Sequence, residues 1–298
     1  MRAATRPTFG SLLKQSRKRR GMSQLDLALA ADVSARHICF LETGRSSPSR
    51  KMVMRLADTL CFGMRDSNQI LLAAGFSPMF RETALDHESM RPVQRALDRI
   101  LCAHEPYPAF VLDRVWNVVW GNQAHWQMLD ALLEDASPGE QPVNVLRLIF
   151  DPKWLRPRIR NWSAVVHVLW HRLRQQAFMA GPEDELHELF EQLSELPDVR
   201  DVAEQLSPRP DEALLVPLQI VMGDQVLSWF STIATIGTPQ DITLEELRIE
   251  TMFPADEATE QFAREFAKSH GPASAHSTST RERRSSGRSI QSAKSRVR

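Results

Sequence analysis

The chain has 298 residues, 42% of them hydrophobic, which is enough for about two globular domains of roughly 100–200 residues each. Its cysteines, Cys39, Cys61 and Cys102, include no CxxC pair, which excludes a disulfide framework and a cysteine zinc cage and is typical of a reducing cytosol. No run approaches the roughly 18 apolar residues of a membrane helix, and the start MRAATRPTFG lacks the apolar core of a secretion signal. We therefore expect a soluble, cytoplasmic protein.

The formal net charge of zero conceals an uneven distribution. Residues 1–60 carry twelve Lys or Arg against four Asp or Glu, residues 61–267 carry seventeen against thirty-two, and residues 268–298 carry eight against one. The three segments have net charges of +8, −15 and +7. A polyanion would be attracted to the ends and repelled by the centre, as in a protein with one nucleic-acid module and one separate module. Chance clustering of charge is the alternative explanation.

Five short helices are predicted in the first part of the chain, because apolar residues recur at helical spacing between start and stop signals. They cover Phe9–Arg20, Gln24–Ala31, Ser34–Thr43, Ser49–Leu60 and Arg65–Ala74. Ser23, Ser34 and Ser49 are typical N-caps, and a glycine follows the first, third and fifth helices. We expect a compact all-α domain at 9–75 and a linker at 76–92, a proline-bounded stretch without sustained periodicity.

The next part, residues 93–267, predicts an α+β domain with an antiparallel sheet. Its elements are a helix at Val93–Ala103, strands at Ala109–Leu112 and Val115–Trp120, helices within 140–206, strands on either side of Gly223-Asp224, and a strand at Leu247–Phe253. Asn122 is expected to cap a helix after the second strand. This order excludes the alternating strands and helices of a Rossmann fold. The Ser/Arg-rich tail at 268–298 has almost nothing to bury and is expected to be disordered.

The second and third predicted helices have the spacing of a helix-turn-helix. With Gln24 as the first position, small or apolar residues occupy the places where two helices crossing at about 90–120° must touch. These residues are Leu27, Ala28, Ala31, Val33, Ile38 and Leu41. The turn position, which usually needs glycine because its φ is positive, is Asp32, and aspartate tolerates that conformation. A plain helical hairpin is the alternative.

The other side chains of the third helix point away from this contact. The N-terminal part of the second helix of such a pair enters the major groove, which places Ala35, Arg36 and His37 at base edges. Arginine can bind guanine through two hydrogen bonds, histidine can donate or accept, and alanine can contact a thymine methyl. Gln24 begins the preceding helix, where it can contact a phosphate. The predicted DNA-binding residues are Gln24, Ser34, Ala35, Arg36, His37, Phe40, Thr43 and Arg45.

The seven tryptophans all fall in the predicted second domain. Any single one is better explained by core packing, but for the set we expect that some line a cavity between sheet and helices. The candidate ligand-binding residues are Trp116, Trp120, Trp126, Trp170 and Trp229.

No motif in the sequence indicates catalysis. The GxSxG, GxGxxG and P-loop patterns are absent, and the carboxylates of GPEDELHELFEQLSEL have the spacing of a solvated helix face. His167 and His171 share a helix face, as zinc sites require, but the glutamate of HExxH and a third ligand are missing. We expect no enzymatic activity, no cofactor and no bound metal.

Several stretches resemble known regulators. The segment MSQLDLALAADVSARHICFLETGRSSPS is similar to the Cro/C1-type helix-turn-helix of the xenobiotic response element family of bacterial regulators. Together with LLAAGFSP, HEPYPAFVLDRVWNVVWGN, VNVLRL and FSTIATIGTPQDITLEELRIETMFPAD, it resembles the MmyB-like transcription regulators over about residues 9–258. The resemblance implies a helix-turn-helix DNA-binding domain joined to a PAS-like domain that binds a small, often apolar or fatty-acyl ligand. The tail lies outside it.

Together these observations predict a two-domain, sequence-specific DNA-binding transcription regulator: an all-α helix-turn-helix domain followed by an α+β PAS-like ligand-binding domain. The expected partners are double-stranded DNA in the nucleoid, a small apolar effector such as a fatty acid, and a second copy of the chain, because one such module buries too little DNA to discriminate well. A ligand-independent regulator, whose second domain dimerises or binds a protein partner, is the alternative.

Overall fold

The computed structural model describes residues 7–133, 142–182, 184–205, 215–271 and 278–279. Two compact units are formed. The first comprises residues 1–84 together with 237–245, and the second comprises residues 85–236 and 246–298. The sequence assigned 237–245 to the second domain, whereas the structure packs this segment with the first unit.

The first unit begins with five short helices. They are α1 (Phe9–Arg19), α2 (Gln24–Ala30), α3 (Ala35–Glu42), α4 (Arg50–Thr59) and α5 (Met64–Ala73). The five predicted helices are confirmed, each to within one residue at either end. The hydroxyls of Thr8, Ser23, Ser34 and Ser49 cap the first four helices by accepting from a backbone N–H three residues later. Gly63, which precedes α5, has no side chain to do so.

The helix-turn-helix contact has the predicted geometry. Five of the six contact positions are buried, and the sixth, Val33, packs against the same core. Asp32 has a φ of 53°, as the turn requires. The core also contains Leu13 of α1, Leu56 of α4 and Leu71 of α5, all fully buried. Burial of these side chains fixes α3 against the other helices, with one face left outside the core.

The second unit contains a six-stranded antiparallel sheet. Its strands are β1 (Ala109–Leu112), β2 (Val118–Gly121), β3 (Leu218–Met222), β4 (Gln225–Ala234), β5 (Arg248–Pro254) and β6 (Thr278–Ser279). The spatial order is β3-β4-β5-β1-β2-β6, so the strands that precede and follow the helical segment meet in one sheet where β1 pairs with β5. The predicted α+β architecture is confirmed.

Two strand predictions differ in outcome. The hairpin at Gly223-Asp224 is confirmed, with Met222 opposite Gln225 and a φ of 59° at Gly223. The predicted start of the second strand at Val115 is wrong, because β2 begins at Val118. The Asp113 carboxylate accepts from the backbone N–H of Val115 and Asn117 at 3.0 and 2.8 Å, and this turn competes with extended backbone.

Helices cover the sheet of the second unit. The first six in chain order are α6 (Arg91–Cys102), α7 (Gln123–Leu133), α8 (Val145–Phe150), α9 (Trp162–Ala180), α10 (Glu185–Ser194) and α11 (Val199–Gln205). Asn122 caps α7 as predicted, because its Oδ1 accepts from the His125 N–H at 2.9 Å. The buried core of this unit includes Phe110 and Val118 of the sheet and Phe150 of α8. Among the described helices, none is long and apolar enough to cross a membrane.

The last two helices modify the predicted boundaries. A short helix, α12 (Ile242–Glu246), lies in the connection between β4 and β5, and α13 (Glu257–His270) follows β5. The tail predicted to be disordered from Lys268 therefore begins inside α13, and Thr278 and Ser279 pair with β2. The rest of that prediction, at 272–277 and 280–298, lies outside the described residues.

Candidate functional site

The N-terminal turn of α3 presents the predicted base-contacting residues outside the core. Ser34 caps the helix by accepting from the His37 N–H at 3.2 Å. Arg36 is exposed, and its guanidinium carbon lies 5.1 Å from the centre of the Phe40 ring, within cation–π distance. None of the eight predicted DNA contacts is buried: Ser34, Arg36, Thr43 and Arg45 are exposed, and Gln24, Ala35, His37 and Phe40 are partly buried.

Behind this surface, α3 is held by a buried ion pair that the sequence analysis did not identify. Arg17 of α1 donates through Nε to Oε1 of Glu42 at 2.6 Å and through Nη2 to Oε2 at 3.0 Å. Its Nη1 donates to the Met22 carbonyl at 2.6 Å. The signal available in the sequence was weak: Arg17 falls on the apolar face of the first helix, where a cation needs a partner.

The charge state of this pair follows from its partners. Burial opposes ionisation of Glu42, but hydrogen bonds from Arg17 and Gln24, with the positive charges of Arg17 and Lys14, outweigh it and lower the pKa of the carboxyl. The hydrogen bond to Glu42 raises the pKa of Arg17. Both groups are therefore ionised, and the bidentate geometry fixes the C-terminal end of α3 to α1.

The structure changes the interpretation of Gln24. The side-chain amide that was expected to contact a phosphate donates to Glu42 Oε2 at 2.7 Å. The reason is that the buried carboxylate needs donors beyond Arg17 to satisfy its lone pairs. The backbone N–H of Gln24 lies in the first turn of α2, directly after the N-cap Ser23. A contact between this N–H and a DNA phosphate remains a prediction.

Two exposed basic residues that the sequence analysis missed lie at the start of α4. Arg50 and Lys51 are exposed in the first turn of α4, which contains no acidic residue. Cations in the first turn oppose the helix dipole, so they are unfavourable there unless an anion is bound nearby. The signal in the sequence was local, since both residues directly follow the predicted cap Ser49.

Four of the five candidate tryptophans meet in the core of the second unit, and Trp120 does not. Trp116, Trp126, Trp170 and Trp229 belong to one buried cluster. Trp120 is partly buried, and its Nε1 donates to Asp98 of α6 at 2.9 Å. Because Trp120 lies opposite Val111, and alternate residues of a strand face opposite sides, it points away from the sheet face that carries Phe110. Trp120 therefore lies apart from the other four, on the opposite face of the sheet, and its role in ligand binding stays a prediction.

The buried indoles differ in their hydrogen bonds. Trp126 Nε1 donates to the Gly121 carbonyl at 3.1 Å, and Trp116 Nε1 donates to Gln176 Oε1 at 3.0 Å. Trp170 packs against Phe190 with ring centres 4.6 Å apart. Trp229 is 0% exposed, and its Nε1 has no acceptor within hydrogen-bonding distance among the described residues. A buried N–H without a partner costs about 1–3 kcal/mol, so native cores contain few such donors.

A polar group interrupts the apolar face of the sheet. Glu250 of β5 lies opposite Phe110 of β1, which places its side chain on the same face as that core residue. Burial raises the pKa of Glu250, against a hydrogen bond from Ser231 and the positive charge of Arg172. Burial likewise lowers the pKa of Arg172, whose guanidinium carbon lies 4.7 Å from the centre of the Trp116 ring. Both side chains are partly buried.

A charged residue in the middle of a central strand was the available sequence signal for Glu250. Arg172 and Gln176 had none, because their contact with Trp116 depends on how α9 packs on the sheet. Ser231 had none because its hydrogen bond to Glu250 depends on the register of β4 and β5. This group, Trp116, Arg172, Gln176, Ser231 and Glu250, is called the polar cluster below.

The described residues contain no group of three His, Cys, Asp or Glu side chains that could hold a metal ion. The rings of His167 and His171 are 4.5 Å apart, but His167 Nδ1 lies 3.0 Å from the Ala203 carbonyl. Because a carbonyl oxygen can only accept, Nδ1 is the nitrogen of this imidazole that donates.

Comparison with known families assigns both units. Residues 13–60 match a helix-turn-helix family, which covers α2, α3 and the ion pair behind them. Residues 93–265, more than half of the chain, match the family described as the MmyB-like transcription regulator ligand binding domain. A search of curated proteins finds no match. The exposed face of α3 and the two family matches together establish that this chain is a DNA-binding transcription regulator and belongs to the MmyB-like transcription regulators.

Proposed function

We propose that this protein is a sequence-specific regulator whose DNA binding is controlled by a small, mostly apolar molecule. The molecule binds in the second unit, which acts as a PAS-like ligand-binding domain. Two copies of the chain present their α3 helices to half-sites spaced by about one DNA turn, roughly 34–36 Å. A second copy is needed because one module of this size buries too little DNA for high specificity. The protein acts in the cytoplasm, on the nucleoid.

The exposed Arg36 is the main observation in support of sequence-specific DNA binding by α3. It lies in the first turn of a helix whose opposite face is fixed by Ile38, Leu41 and the Arg17–Glu42 pair. Contact with Phe40 orients the guanidinium plane, which favours the two parallel hydrogen bonds that guanine O6 and N7 accept. A rigid support is what a base-reading side chain requires, because a shift of about 1 Å breaks such bonds.

The buried indole N–H of Trp229 is the main observation in support of ligand binding by the second unit. An oxygen atom of a bound molecule would give this donor the acceptor that the described residues do not provide. Trp116, Trp170 and Phe150, which belong to the same buried cluster as Trp229, would contact an apolar body. The polar cluster is suited to a single polar end, because the partly buried guanidinium of Arg172 can donate hydrogen bonds to it and lies against the Trp116 ring. A straight-chain fatty acid combines these properties.

The first prediction concerns Arg36→Ala. We expect it to relax the sequence preference by about 5- to 150-fold at one guanine, equivalent to about 1–3 kcal/mol, because a bidentate base contact is lost. The measurement is the Kd by fluorescence anisotropy for a duplex selected from a random library by the intact protein, and for a scrambled duplex of equal length. An unchanged ratio of the two Kd values would show that α3 does not read bases through Arg36.

Lys51→Ala is the matched control, because it also removes one exposed cation from the first turn of a helix in the same unit. It should weaken binding to both duplexes alike and reduce the slope of log K against log salt by about 1. The two variants thus separate base readout from phosphate contact.

The second prediction concerns Trp229→Phe. In the intact protein, fatty acids of ten to eighteen carbons, tested as a series, should raise the unfolding midpoint read by tryptophan fluorescence, with a gain of about 2.7 kcal/mol at 100 times Kd. The variant should bind the same fatty acid about 3- to 10-fold more weakly, because one hydrogen bond of about 0.5–1.5 kcal/mol is lost. Isothermal titration on protein stripped of lipid measures this loss.

Trp126→Phe is the matched control, since its indole N–H already has an acceptor in the free protein. It should lose stability without any change in fatty-acid affinity. If no fatty acid shifts the midpoint and mass spectrometry finds no small molecule that co-purifies with the protein, the ligand-independent alternative is correct.

A further inference from the structure

The connection between β4 and β5 belongs to the DNA-binding unit, although both strands belong to the other unit. The chain leaves β4 at Ala234, passes through 237–245 and returns as β5 at Arg248. On either side of this segment, β4 and β5 pair continuously, from Trp229 opposite Pro254 to Ala234 opposite Ile249. The segment between the two strands therefore joins a paired part of the second unit to residues that pack in the first unit. Residues 237–245 are called the β4–β5 connection below.

One end of the β4–β5 connection caps α5. The Glu245 carboxylate accepts from the Met64 backbone N–H at 2.7 Å, across 181 residues of sequence. A Cβ placed on Gly63 would lie 3.1 Å from Glu245 Oε2, so the carboxylate occupies the space where a side-chain cap would otherwise be. An anion at this position also stabilises the helix through its dipole. The N-terminus of α5 therefore depends on Glu245.

The other end is held by Asp241, which is buried. Its Oδ2 accepts from the Thr83 hydroxyl at 2.6 Å, and its Oδ1 accepts from the Thr83 N–H at 3.2 Å. The Ile242 N–H donates to the Arg81 carbonyl at 2.9 Å. Two side chains and one backbone group of the β4–β5 connection thus form hydrogen bonds within the first unit. The connection cannot move without breaking at least one of these bonds.

We propose that the β4–β5 connection is the link through which occupancy of the second unit alters DNA binding by α3; this inference rests on the proposed ligand control. Trp229 and Ser231 lie on β4 and Glu250 lies on β5, so a molecule bound there bears on both strands. At the other end of the link, α5 contributes Ile70 and Leu71 to the core that also holds α3. Coupling of this kind is reciprocal, so bound DNA must change the affinity of the second unit for its ligand by the same factor, and we expect this change to be detectable in β4 and β5.

The reciprocal effect gives a test that needs no small molecule. Hydrogen exchange is measured on the full chain, with and without the library-selected duplex, for peptides covering 225–236 and 248–254. In the wild type, DNA should slow exchange in both peptides. In Glu245→Ala, which removes the cap on α5, the slowing should disappear while the Kd for the duplex changes by less than about threefold. Equal slowing in wild type and variant, or none in either, overturns the inference.

Two further variants exclude a loss of folding as the explanation. Gly63→Ala fits the backbone, which has a φ of −69°, but its methyl group displaces the Glu245 carboxylate and should reduce the slowing in part. Asp58→Ala removes an exposed acid of α4 and should preserve it. Loss of the slowing in Asp58→Ala as well would contradict a specific role for Glu245.

A second arm uses the fatty acid that gives the largest midpoint shift. In the wild type it should change the Kd for the duplex by about 5- to 150-fold, the usual range of such coupling, and in Glu245→Ala by less than about twofold. A variant that keeps the full wild-type change overturns the inference. If DNA slows exchange in β4 and β5 but no fatty acid alters the Kd, the link stands and the proposed ligand is wrong.

Discussion

Glu42→Ala is expected to lower the free energy of unfolding of the first unit by about 3–5 kcal/mol, because it leaves a buried cation without its partner. The side chains of Arg17 and Glu42 are 8% and 1% exposed, so water cannot replace the lost carboxylate. Gln24 loses its acceptor in the same variant. The effect is measured by urea unfolding followed by far-ultraviolet circular dichroism.

Tryptophan fluorescence provides an internal control in the same experiment. All seven tryptophans lie in the second unit, so the fluorescence transition should not move in this variant. The double variant Arg17→Met, Glu42→Leu removes both charges and should recover most of the lost stability, since well-packed apolar side chains often replace a buried ion pair without cost. A loss below about 1 kcal/mol in Glu42→Ala would contradict the importance of the pair for the fold.

The pH dependence of this pair has a definite sign. The pKa of Glu42 is lowered in the folded protein, so its contribution is fully present above the unfolded value of about 4.3 and is lost as pH falls through the lower folded pKa. Other carboxyls titrate in the same range, so the useful quantity is the difference between wild type and Glu42→Gln. That difference in unfolding free energy should be constant from pH 7 to about pH 5 and should shrink below about pH 4.

Asn122→Leu is expected to lower the free energy of unfolding of the second unit by at least about 3 kcal/mol. The Asn122 side chain is 1% exposed and makes four hydrogen bonds to the backbone. Its Oδ1 accepts from the N–H groups of Ala109 and His125, and its Nδ2 donates to the carbonyls of Leu101 and Tyr107. Leucine has a similar size but satisfies none of these groups, and each buried loss costs about 1–3 kcal/mol.

In Asn122→Leu the tryptophan fluorescence transition should move, unlike in Glu42→Ala, because all seven tryptophans lie in the unit that this variant destabilises. Gln123→Leu, at the next position, is the control: its Nε2 makes a partly buried hydrogen bond to the Gly271 carbonyl, and its loss should cost about 1 kcal/mol or less. Similar costs for the two variants would mean that the Asn122 side chain does not determine how α6, β1 and α7 meet.

Local signals in the chain were sufficient for most of the secondary structure. Serine caps, glycine stops and the helix-turn-helix spacing act within a few residues, so the five helices of the first unit followed from them. The positive φ at Asp32 and at Gly223 could be anticipated for the same reason. Where a local prediction was wrong, at the start of β2, the cause was also local: the Asp113 side chain bonds the backbone that the strand would have used.

The residues that form the two candidate sites were harder to predict from the sequence than the secondary structure. The exposed face of α3 could be derived, because helical periodicity separates Arg36 from Ile38 and Leu41. The support beneath it could not, because Arg17 and Glu42 are 25 residues apart and meet only when α1 packs on α3. In the second unit, the tryptophans could not be assigned to faces until the strand register was known. Register placed Trp120 away from the core and Glu250 beside Phe110.

The proposed link between the two units depends on a hydrogen bond between residues far apart in the chain. Helix ends, turns and the exposed face of α3 depend on residues three to four apart, and short-range hydrogen bonds and periodicity encode them directly. The cap that Glu245 places on α5 joins residues 181 apart, and the order of strands in the sheet requires β5 to pair between β4 and β1. No spacing in the chain encodes such pairings, because they arise from the packing of whole elements and the burial that this packing achieves.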